Sequence, residues 1–520
     1  MSLARTYSRA QIGLDSPLVC VEVHLGSGLP AFSIVGLPAP VVRESTQRVR
    51  SALVNSGFEF PAGRITVNLA PADLRKVGGR FDLPIALCVL RASGQLAHDD
   101  AATEYYGELG LEGDLKPVAG LLPAALAASR AGRRVVLPRV NLDEARLAGC
   151  HDARAADSLA ELCLALRSPP ESHALVLPPV GEGCSLRLAD VRGQRQAKRA
   201  LAIAAAGGHS LLLIGSPGTG KTMLAQRLPA LLPPLDHEAA LQVAAIASLG
   251  LRGFDPRCWG QRPFRSPHHT ASAHALVGGG RDARPGEVTL AHHGVLFLDE
   301  LPEFDRHVLE ALREPLESGV ISVARAAVRV EYPARFQLVA AMNPCPCGYL
   351  GERAGRCRCS GAKVQRYRQR ISGPLLERID MQVELTRVEP QSLRCADAPE
   401  RSDELPARIA RAHAAQQSRQ GCSNAQLEGA ALAQFCALNG AALAVLERAM
   451  RNFGLSARAY HRVLRVARTI ADLESERELR MPHIGEALML RQMEAVPAAE
   501  VSTAPLPGAP PVTQRVDYRD

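Results

Sequence analysis

The 520-residue sequence contains no run of eighteen consecutive apolar residues. A helix needs about twenty such residues to cross the hydrocarbon core of a bilayer, so the sequence predicts no membrane-spanning helix and no membrane partner. The opening segment, MSLARTYSRAQIGL, also lacks the apolar stretch of a secretory signal peptide. We therefore expect a cytoplasmic protein, in a compartment where disulfides are not expected.

Lysine is scarce, because only five of the 61 basic residues are lysines and arginine supplies the rest. The formal net charge of +8 favours a polyanionic partner. The arginine excess extends along the whole chain, however, so a cluster of arginines does not by itself indicate a nucleic-acid site.

The order of apolar patterns divides the chain into several parts. Residues 1–170 alternate short β-rich runs with helical patterns such as Val41–Ser56 and Leu121–Arg130, which indicates an α+β domain. Residues 171–185 are rich in proline and glycine and are predicted to be a linker. In residues 186–385, apolar strands alternate with helices, which is typical of a parallel sheet covered on both faces.

The C-terminal part of the chain changes character again. Residues 386–497 are rich in alanine and leucine at helical spacing and are predicted to form a small helical domain. Residues 498–520 contain too little apolar surface to order themselves and are predicted to be a disordered tail.

One segment carries a strong signature of phosphate binding. Residues 211–222, LLLIGSPGTGKT, place an apolar strand before the pattern G-x-x-x-x-G-K-T, and a helical pattern follows. Glycines let backbone N–H groups approach phosphate oxygens, the lysine reaches the outer phosphates, and the threonine hydroxyl ligates Mg²⁺. The predicted ATP-binding residues are Gly215, Ser216, Pro217, Gly218, Thr219, Gly220, Lys221 and Thr222.

Two further strands are predicted to end at the same edge of the sheet, where ligands bind in open α/β folds. Val295–Leu298 leads directly into Asp299 and Glu300, and a second strand ends at Asn343. Asp299 is suited to hold Mg²⁺ and Glu300 to polarise the attacking water. Asn343 could orient that water, although asparagine before proline is also an ordinary turn.

Several longer motifs resemble a known family. GSPGTGKT, VLFLDE, PLLERID and LSARAYHRVLRVARTIADL resemble the magnesium-chelatase branch of the AAA+ ATPases, and VEVHLGSGLPAFSIVGLP and FRSPHHTASAHALVGGG resemble its ComM/YifB subfamily. The resemblance implies an AAA+ core with a C-terminal helical lid, and a hexameric ring that uses ATP for DNA branch migration in competence-related recombination. It also implies that Asn343 is the first sensor, Arg378 an arginine finger from a neighbouring subunit, and Arg458 the second sensor.

The N-terminal region resembles the peptidase domain of Lon proteases in GELGLEGDLKPVAGLLPAALAA and KVGGRFDLPIAL. That family uses a serine–lysine dyad. No serine lies between Lys76 and Leu90 and no lysine between Pro117 and Arg130, where the dyad would stand. Without nucleophile and base there is no acyl transfer, so the sequence predicts a Lon-like fold without protease activity.

Residues 343–359, NPCPCGYLGERAGRCRC, hold four of the thirteen cysteines. Four soft thiolates suit tetrahedral Zn²⁺, although structural zinc sites usually separate paired cysteines by two or more residues. Unpaired thiols and an iron–sulfur cluster are the alternatives. The predicted zinc ligands are Cys345, Cys347, Cys357 and Cys359.

Basic side chains in two segments are candidates for sequence-independent contacts to DNA phosphates. One segment is VISVARAAVRVEYP, a predicted β-hairpin whose arginines are equally compatible with a solvated surface; the other surrounds the cysteines. His268 and His269 are predicted to pack or to line a pore loop rather than bind metal. The candidate DNA contacts are Arg325, Arg329, Arg353, Arg356, Arg358 and Lys363.

Three functions are compatible with these motifs. The first is a DNA motor, the second a protein-remodelling ATPase such as the motor subunit of a metal chelatase, and the third a nucleotide-dependent switch that binds DNA without moving along it. DNA-stimulated ATP turnover separates the first from the second.

Overall fold

The computed structural model describes residues 2–97, 102–166, 186–250, 253–279, 283–325, 328–352, 355–388 and 404–491. The predicted linker 171–185, the tail 498–520 and Arg353 lie outside these ranges. Among the helices within them, none combines the length and apolar character needed to cross a bilayer.

Residues 2–166 contain a mixed β-sheet. The strands of this region are β1 (Ser2–Arg9), β2 (Leu18–Gly26), β3 (Ala31–Val35), β4 (Arg64–Ala70), β5 (Thr103–Tyr105), β6 (Glu108–Leu109), β7 (Leu115–Lys116), β8 (Arg134–Pro138) and β9 (Arg154–Ala156). In the described part, seven of them form one sheet in the order β3-β4-β2-β1-β5-β8-β9. β2 pairs antiparallel with β1 and β4, and the other neighbours run parallel.

Helices cover this sheet. They are α1 (Pro40–Arg43), α2 (Ser45–Asn55), α3 (Asp82–Ala92), α4 (Leu121–Arg130), α5 (Leu142–Leu147) and α6 (Leu159–Ala165). The predicted helix over Val41–Ser56 is divided at Glu44, whereas α4 has the predicted bounds. Every residue of α3 is buried, because this helix packs against β1 and β2 in the middle of the domain. The mixed architecture agrees with the α+β prediction, and the likeness to Lon peptidases stays a prediction.

The central part of the chain is built on a parallel sheet. Its strands are β10 (Leu211–Gly215), β11 (Phe264–Arg265), β12 (Gly278–Gly279), β13 (Arg284–Pro285), β14 (Val295–Leu298), β15 (Val320–Arg325), β16 (Val328–Pro333), β17 (Gln337–Met342) and β18 (Met381–Leu385). In the described residues, five of them form a sheet in the order β11-β14-β17-β10-β18, with every pair parallel. β15 and β16 form the predicted antiparallel hairpin.

Both faces of this sheet are covered, as the continuous apolar strands predict. Leu211 and Leu213 pack into one hydrophobic cluster, whereas Leu212 and Ile214 pack into another on the opposite face. The helices of this region are α7 (Arg195–Gly207), α8 (Lys221–Ala225), α9 (Leu228–Leu231), α10 (His237–Leu249), α11 (Ala273–Val277), α12 (Glu287–Leu290), α13 (Arg306–Glu310), α14 (Arg313–Ser318), α15 (Gly361–Arg368) and α16 (Gly373–Leu376).

The C-terminal region is helical. It contains α17 (Leu405–Gln420), α18 (Gly429–Phe435), α19 (Gly440–Phe453), α20 (Ala457–Leu473) and α21 (Met481–Met489). α17 and α20 pack against α7, and the apolar residues of all three belong to one cluster with those of the parallel sheet. The helical lid is therefore anchored on one face of the sheet by continuous hydrophobic packing.

Asp380 fastens α20 to the base of the sheet, where β10 and β18 begin. Its carboxylate accepts hydrogen bonds from Ser210 N at 3.0 Å and from Arg462 Nη1 at 2.5 Å, and lies 3.5 Å from His209 Nδ1. Burial acts to raise the pKa of Asp380, but the contact with His209 and the charge of Arg462 dominate and hold that pKa well below its usual range.

We expect Asp380→Asn to lower the free energy of unfolding by about 3 kcal/mol, because it leaves the Arg462 guanidinium without its charged partner. A carboxyl with a depressed pKa in the folded state stabilises the fold above its unfolded pKa of about 4, and this contribution is lost as the pH falls. The difference between the thermal unfolding midpoints of wild type and Asp380→Asn should therefore shrink as the pH falls below about 4. Asp143→Asn, at an exposed i,i+3 pair, is the control. Equal midpoints of wild type and Asp380→Asn at neutral pH would contradict the assignment.

Candidate functional site

The predicted phosphate loop forms a concave turn between β10 and α8. β10 ends at Gly215 and α8 begins at Lys221. Gly218 and Gly220 have φ angles of 80° and 89°, a region that favours glycine. A Cβ at Gly215 would lie 2.8 Å from the Leu385 carbonyl oxygen, so this position also requires glycine. The loop therefore presents backbone rather than side chains to a ligand.

Lys221 is held at the mouth of this loop. Its Nζ donates hydrogen bonds to the carbonyl oxygens of Gly215 at 2.6 Å and Ser216 at 3.1 Å, and to Asn343 Oδ1 at 3.0 Å. Burial lowers the pKa of Lys221, while Asp299 and Glu300 act in the opposite direction. The ammonium group is thus positioned for a nearby anion and is linked directly to the predicted sensor Asn343.

The two carboxylates after β14 lie beside the loop. Thr222 Oγ1 donates to Asp299 Oδ2 at 2.7 Å, which brings the two predicted Mg²⁺ ligands together. Glu300 has a φ of 53°, and its N–H donates to Asp299 Oδ1 at 2.9 Å. Threonine and aspartate oxygens fit an Mg²⁺ ion that also binds a triphosphate.

The sequence prediction missed a partner of Glu300. His269 Nδ1 lies 3.2 Å from Glu300 Oε2, and the His269 ring stacks on His268 at a centroid distance of 4.2 Å. The two rings lie against each other, the prediction that they pack or line a pore loop stays a prediction, and the contact with Glu300 depends on a loop far away in sequence. The doublet HH in FRSPHHTASAH was the available signal, and nothing in its spacing points to the carboxylate.

We expect His269→Ala to reduce ATP turnover about tenfold with little change in nucleotide affinity, because the imidazole orients the Glu300 carboxylate but lies outside the phosphate loop. Steady-state hydrolysis and equilibrium nucleotide binding measure the two quantities. His268→Ala removes the neighbouring ring, whose Nδ1 contacts Thr270 at 2.9 Å, and serves as the control. Equal turnover in both variants would contradict a specific role for His269.

A cavity of about 900 Å³ adjoins the phosphate loop. It lies between the start of α7, the segment after β18, and Pro344, residues 350–352 and Arg356. Gln194, with a φ of 53°, donates from Nε2 to the Thr386 carbonyl oxygen at 2.7 Å and to that of Thr219 at 3.2 Å. This volume suits a nucleoside joined to phosphates in the loop. The sequence prediction missed the side of the cavity that Gln194 forms. The segment VRGQ at residues 191–194 was the available signal.

Arg378 lies at the opposite edge of the sheet, just before β18 begins. Its side chain is buried: Nη1 donates to the Pro374 carbonyl oxygen at 2.7 Å, and Nη2 forms an ion pair with Glu317. Glu317 itself is more than half exposed. The predicted arginine finger is therefore close to the surface but paired within its own chain.

Arg458 lies at the same edge, near the start of α20. It is 65% exposed and lies 3.8 Å from Glu377 Oε2, next to Arg378 in sequence. The five residues of β10 separate this edge from the phosphate loop by about 16 Å. The structure thus brings together Lys221, Thr222, Asp299, Glu300 and Asn343, and does not bring Arg378 or Arg458 to the phosphate loop of the same chain.

The four cysteines of the predicted metal site converge. Cys345 Sγ lies 3.3 Å from Cys347 Sγ and 3.7 Å from Cys357 Sγ, and Cys347 Sγ lies 3.6 Å from Cys357 Sγ. All four sulfur atoms, including that of Cys359, lie within 4.8 Å of one another. A tetrahedron with Zn–S bonds of about 2.3 Å has sulfur atoms about 3.8 Å apart, so the donor set fits zinc.

The candidate DNA contacts occupy different surroundings. Arg329 is 72% exposed on β16, with its Nε 3.1 Å from Ser322 Oγ, and Arg325 ends β15 next to residues outside the described part. Arg358 and Lys363 are exposed. Arg356 lines the cavity beside the phosphate loop. The sequence predicted a DNA contact for Arg356 and did not predict this position.

Comparison with known proteins agrees with this architecture. Residues 187–393 match the family described as magnesium chelatase, subunit ChlI, residues 21–141 match subunit ChlI of Mg-chelatase, and residues 399–491 match the C-terminal part of subunit ChlI. The magnesium-chelatase 67 kDa subunit of Heliobacterium mobile is 28% identical over 207 residues, which cover 33% of this chain and 30% of that subunit.

Two longer matches extend over nearly the whole chain. The competence protein ComM of Haemophilus influenzae is 48% identical over 503 residues, which cover 95% of this chain and 98% of that protein. YifB of Salmonella typhimurium is 48% identical over 500 residues, with the same coverage. The resemblance found in the motifs is therefore confirmed: the chain belongs to the ComM/YifB subfamily of magnesium-chelatase-like AAA+ ATPases.

Proposed function

We propose that the protein is a ring-forming ATPase that uses ATP hydrolysis to move DNA. The observation that carries this proposal is the division of its predicted catalytic residues between two edges of one sheet. Lys221, Thr222, Asp299, Glu300 and Asn343 lie at one edge, and Arg378 and Arg458 lie at the other. A complete site then requires two copies of the chain, each giving one edge, and repetition of that contact closes a ring, which we propose to be a hexamer.

Within one copy, the contacts support a role for each polar group in the proposal. Lys221 would exchange its carbonyl contacts for the outer phosphates, and Thr222 with Asp299 would hold Mg²⁺, which would offset charge on the phosphate oxygens. Glu300 accepts a proton from the attacking water, and Asn343 orients that water while keeping its contact with Lys221. The Lys221–Asn343 and Thr222–Asp299 contacts are already formed, so these two pairs need little reorganisation beyond release of the Lys221 carbonyl contacts when ATP binds.

The neighbouring copy contributes its arginines. For Arg378 to reach a γ-phosphate, its ion pair with Glu317 must open, and the anionic phosphate then replaces the carboxylate. Because Glu317 is more than half exposed, it can move into solvent without a large packing penalty. Arg458 lies close by on the same surface and would approach the same nucleotide.

DNA is the proposed substrate of the motor. The name of the Haemophilus relative connects that protein with competence, and branch migration of recombination intermediates is the corresponding activity that we propose here. The exposed arginine of the β15–β16 hairpin, Arg329, and the exposed Arg358 and Lys363 supply cations for a sequence-independent grip on phosphates. Zinc at the four cysteines is part of the proposal.

A protein-remodelling ATPase is the second candidate. It is favoured by the similarity to the magnesium-chelatase 67 kDa subunit, which extends over a third of the chain. Such a motor would use the same phosphate loop but act on a protein.

The test is movement of a labelled four-way DNA junction with ATP. We expect wild type to move the junction and Lys221→Ala to leave it in place, because the variant loses the cation that holds the outer phosphates. Lys116→Ala, at an exposed position in β7, is the matched control. ATP turnover that does not respond to DNA would exclude the motor and favour the protein remodeller.

A further inference from the structure

The four-cysteine knot, defined as Cys345, Cys347, Cys357 and Cys359, directly follows the predicted sensor Asn343. Cys345 is fully buried, and its carbonyl oxygen accepts a hydrogen bond from Gly348 N at 2.9 Å, which closes a tight turn. Gly348 has a φ of 85°, and a Cβ there would lie 2.6 Å from Pro217 Cδ. The turn of the knot therefore packs directly on the phosphate loop.

Described residues of the segment 343–359 also form one wall of the 900 Å³ cavity. Pro344, Leu350, Gly351, Glu352 and Arg356 line it from this side. Glu352 Oε1 lies 2.7 Å from Arg387 Nε, which ties the segment to the chain just beyond β18. Through this pair, the wall is attached to the sheet at a second point besides the end of β17.

Little else orders this wall. Among the described residues of the segment 343–359, only Cys345 and Gly348 are buried. A segment so poor in buried apolar surface cannot offset the conformational entropy of its own ordering. A tetrahedral metal bound to four thiolates releases enough free energy to order such a segment.

We infer that a zinc-class metal ion in the four-cysteine knot holds one wall of the nucleotide cavity in place, so that metal occupancy controls nucleotide affinity. The inference rests on the proposed nucleotide binding at the phosphate loop. It gives the metal a role in ordering the cavity wall. The bound metal fixes the turn at Gly348 against Pro217 and keeps the Arg356 guanidinium in the cavity wall, where it meets an anionic ligand.

The first test uses the full-length wild-type chain and a fluorescent ADP analogue. Metal content is measured, the metal is removed with a chelator, the chelator is dialysed away, and Mg²⁺ is restored before each titration. We expect about one zinc ion per chain, at least tenfold weaker ADP binding after removal, and recovery when zinc alone is added back. Absence of a stoichiometric metal, or unchanged ADP affinity in the stripped chain, overturns the inference. If the metal-loaded chain binds no ADP, the proposed function itself fails.

Three variants distinguish a specific effect of the cavity wall on ADP binding from a general loss of folding. Gly348→Ala keeps all four thiols but places a methyl group against Pro217, so we expect full metal content with weakened ADP binding. Arg356→Ala should also keep the metal and lose affinity, because it removes the cation from the wall. Cys258→Ser, at an exposed cysteine remote from the knot, should change neither quantity. If Gly348→Ala and Arg356→Ala both bind the metal and ADP as wild type does, the wall has no role and the inference is wrong.

Discussion

Replacing Glu300 with glutamine should reduce ATP hydrolysis by a factor of about 10² to 10⁴, because an amide cannot accept the proton of the attacking water. Nucleotide affinity should change little, since Lys221, Thr222 and the backbone of the phosphate loop remain. Single-turnover hydrolysis and equilibrium binding on the same preparation measure the two effects. The variant should also hold bound ATP and accumulate in assembled rings.

A matched substitution is available three residues away. Glu303 is exposed and pairs with Arg370 at 2.7 Å, without a contact to the phosphate loop. Glu303→Gln should hydrolyse ATP as wild type does. If both variants lose activity equally, the effect belongs to the 3₁₀ turn after β14 rather than to the Glu300 carboxylate. Retention of DNA-junction movement by Glu300→Gln would indicate a nucleotide-dependent switch instead of a motor.

Substitution of Arg378 by alanine should reduce hydrolysis by a factor of about 10³, the lower end of the effect of a missing arginine finger. Within its own subunit the change removes the ion pair with Glu317 and the hydrogen bond to Pro374, neither of which lies at the phosphate loop, so we expect the loss of activity to arise at another copy's site. Binding of ATP should persist, because the phosphate loop of each chain is intact.

A mixing experiment tests whether the site is shared. Arg378→Ala and Lys221→Ala are each inactive alone, but a ring containing both places an intact phosphate loop beside an intact Arg378 at some interfaces. We therefore expect mixed subunits to recover a measurable fraction of wild-type hydrolysis. Arg451→Ala, on an exposed i,i+4 pair of α19, is the control for a surface arginine of the lid. Mixtures as inactive as their components would place Arg378 outside a shared site.

The phosphate-loop motif and the strand-end residues predicted which side chains meet at one edge of the sheet. A strand leading into G-x-x-x-x-G-K-T leaves one geometry for the loop, and the strands ending at Asp299 and Asn343 meet it because parallel strands share one carboxyl edge. The contacts of Lys221 with Asn343 and of Thr222 with Asp299 follow from that arrangement. The cysteine spacing likewise predicted convergence, although a single residue between paired cysteines is unusual for zinc.

Other parts of the site depend on distant segments. His269 reaches Glu300 across a loop whose path no local pattern specifies, and Gln194 joins the segment before α7 to the segment after β18. Arg356, which stays a predicted DNA contact, also lines the cavity beside the phosphate loop, because the turn at Gly348 packs on Pro217. Residue type and local spacing do not specify which distant segments of the chain come into contact.

The amino-acid pattern was enough to predict the elements and their order. Apolar periodicity and glycine placement specify where strands, helices and the phosphate loop occur, since these depend on neighbours along the chain. The fold of the whole chain, by contrast, was needed to place Arg378 and Arg458 at the opposite edge of the sheet. The lid packs on the face of α7, and Asp380 fastens α20 at the base of the strands. That packing separates Arg378 and Arg458 from the phosphate loop of their own chain, because a side chain a few ångströms long cannot cross the length of a strand.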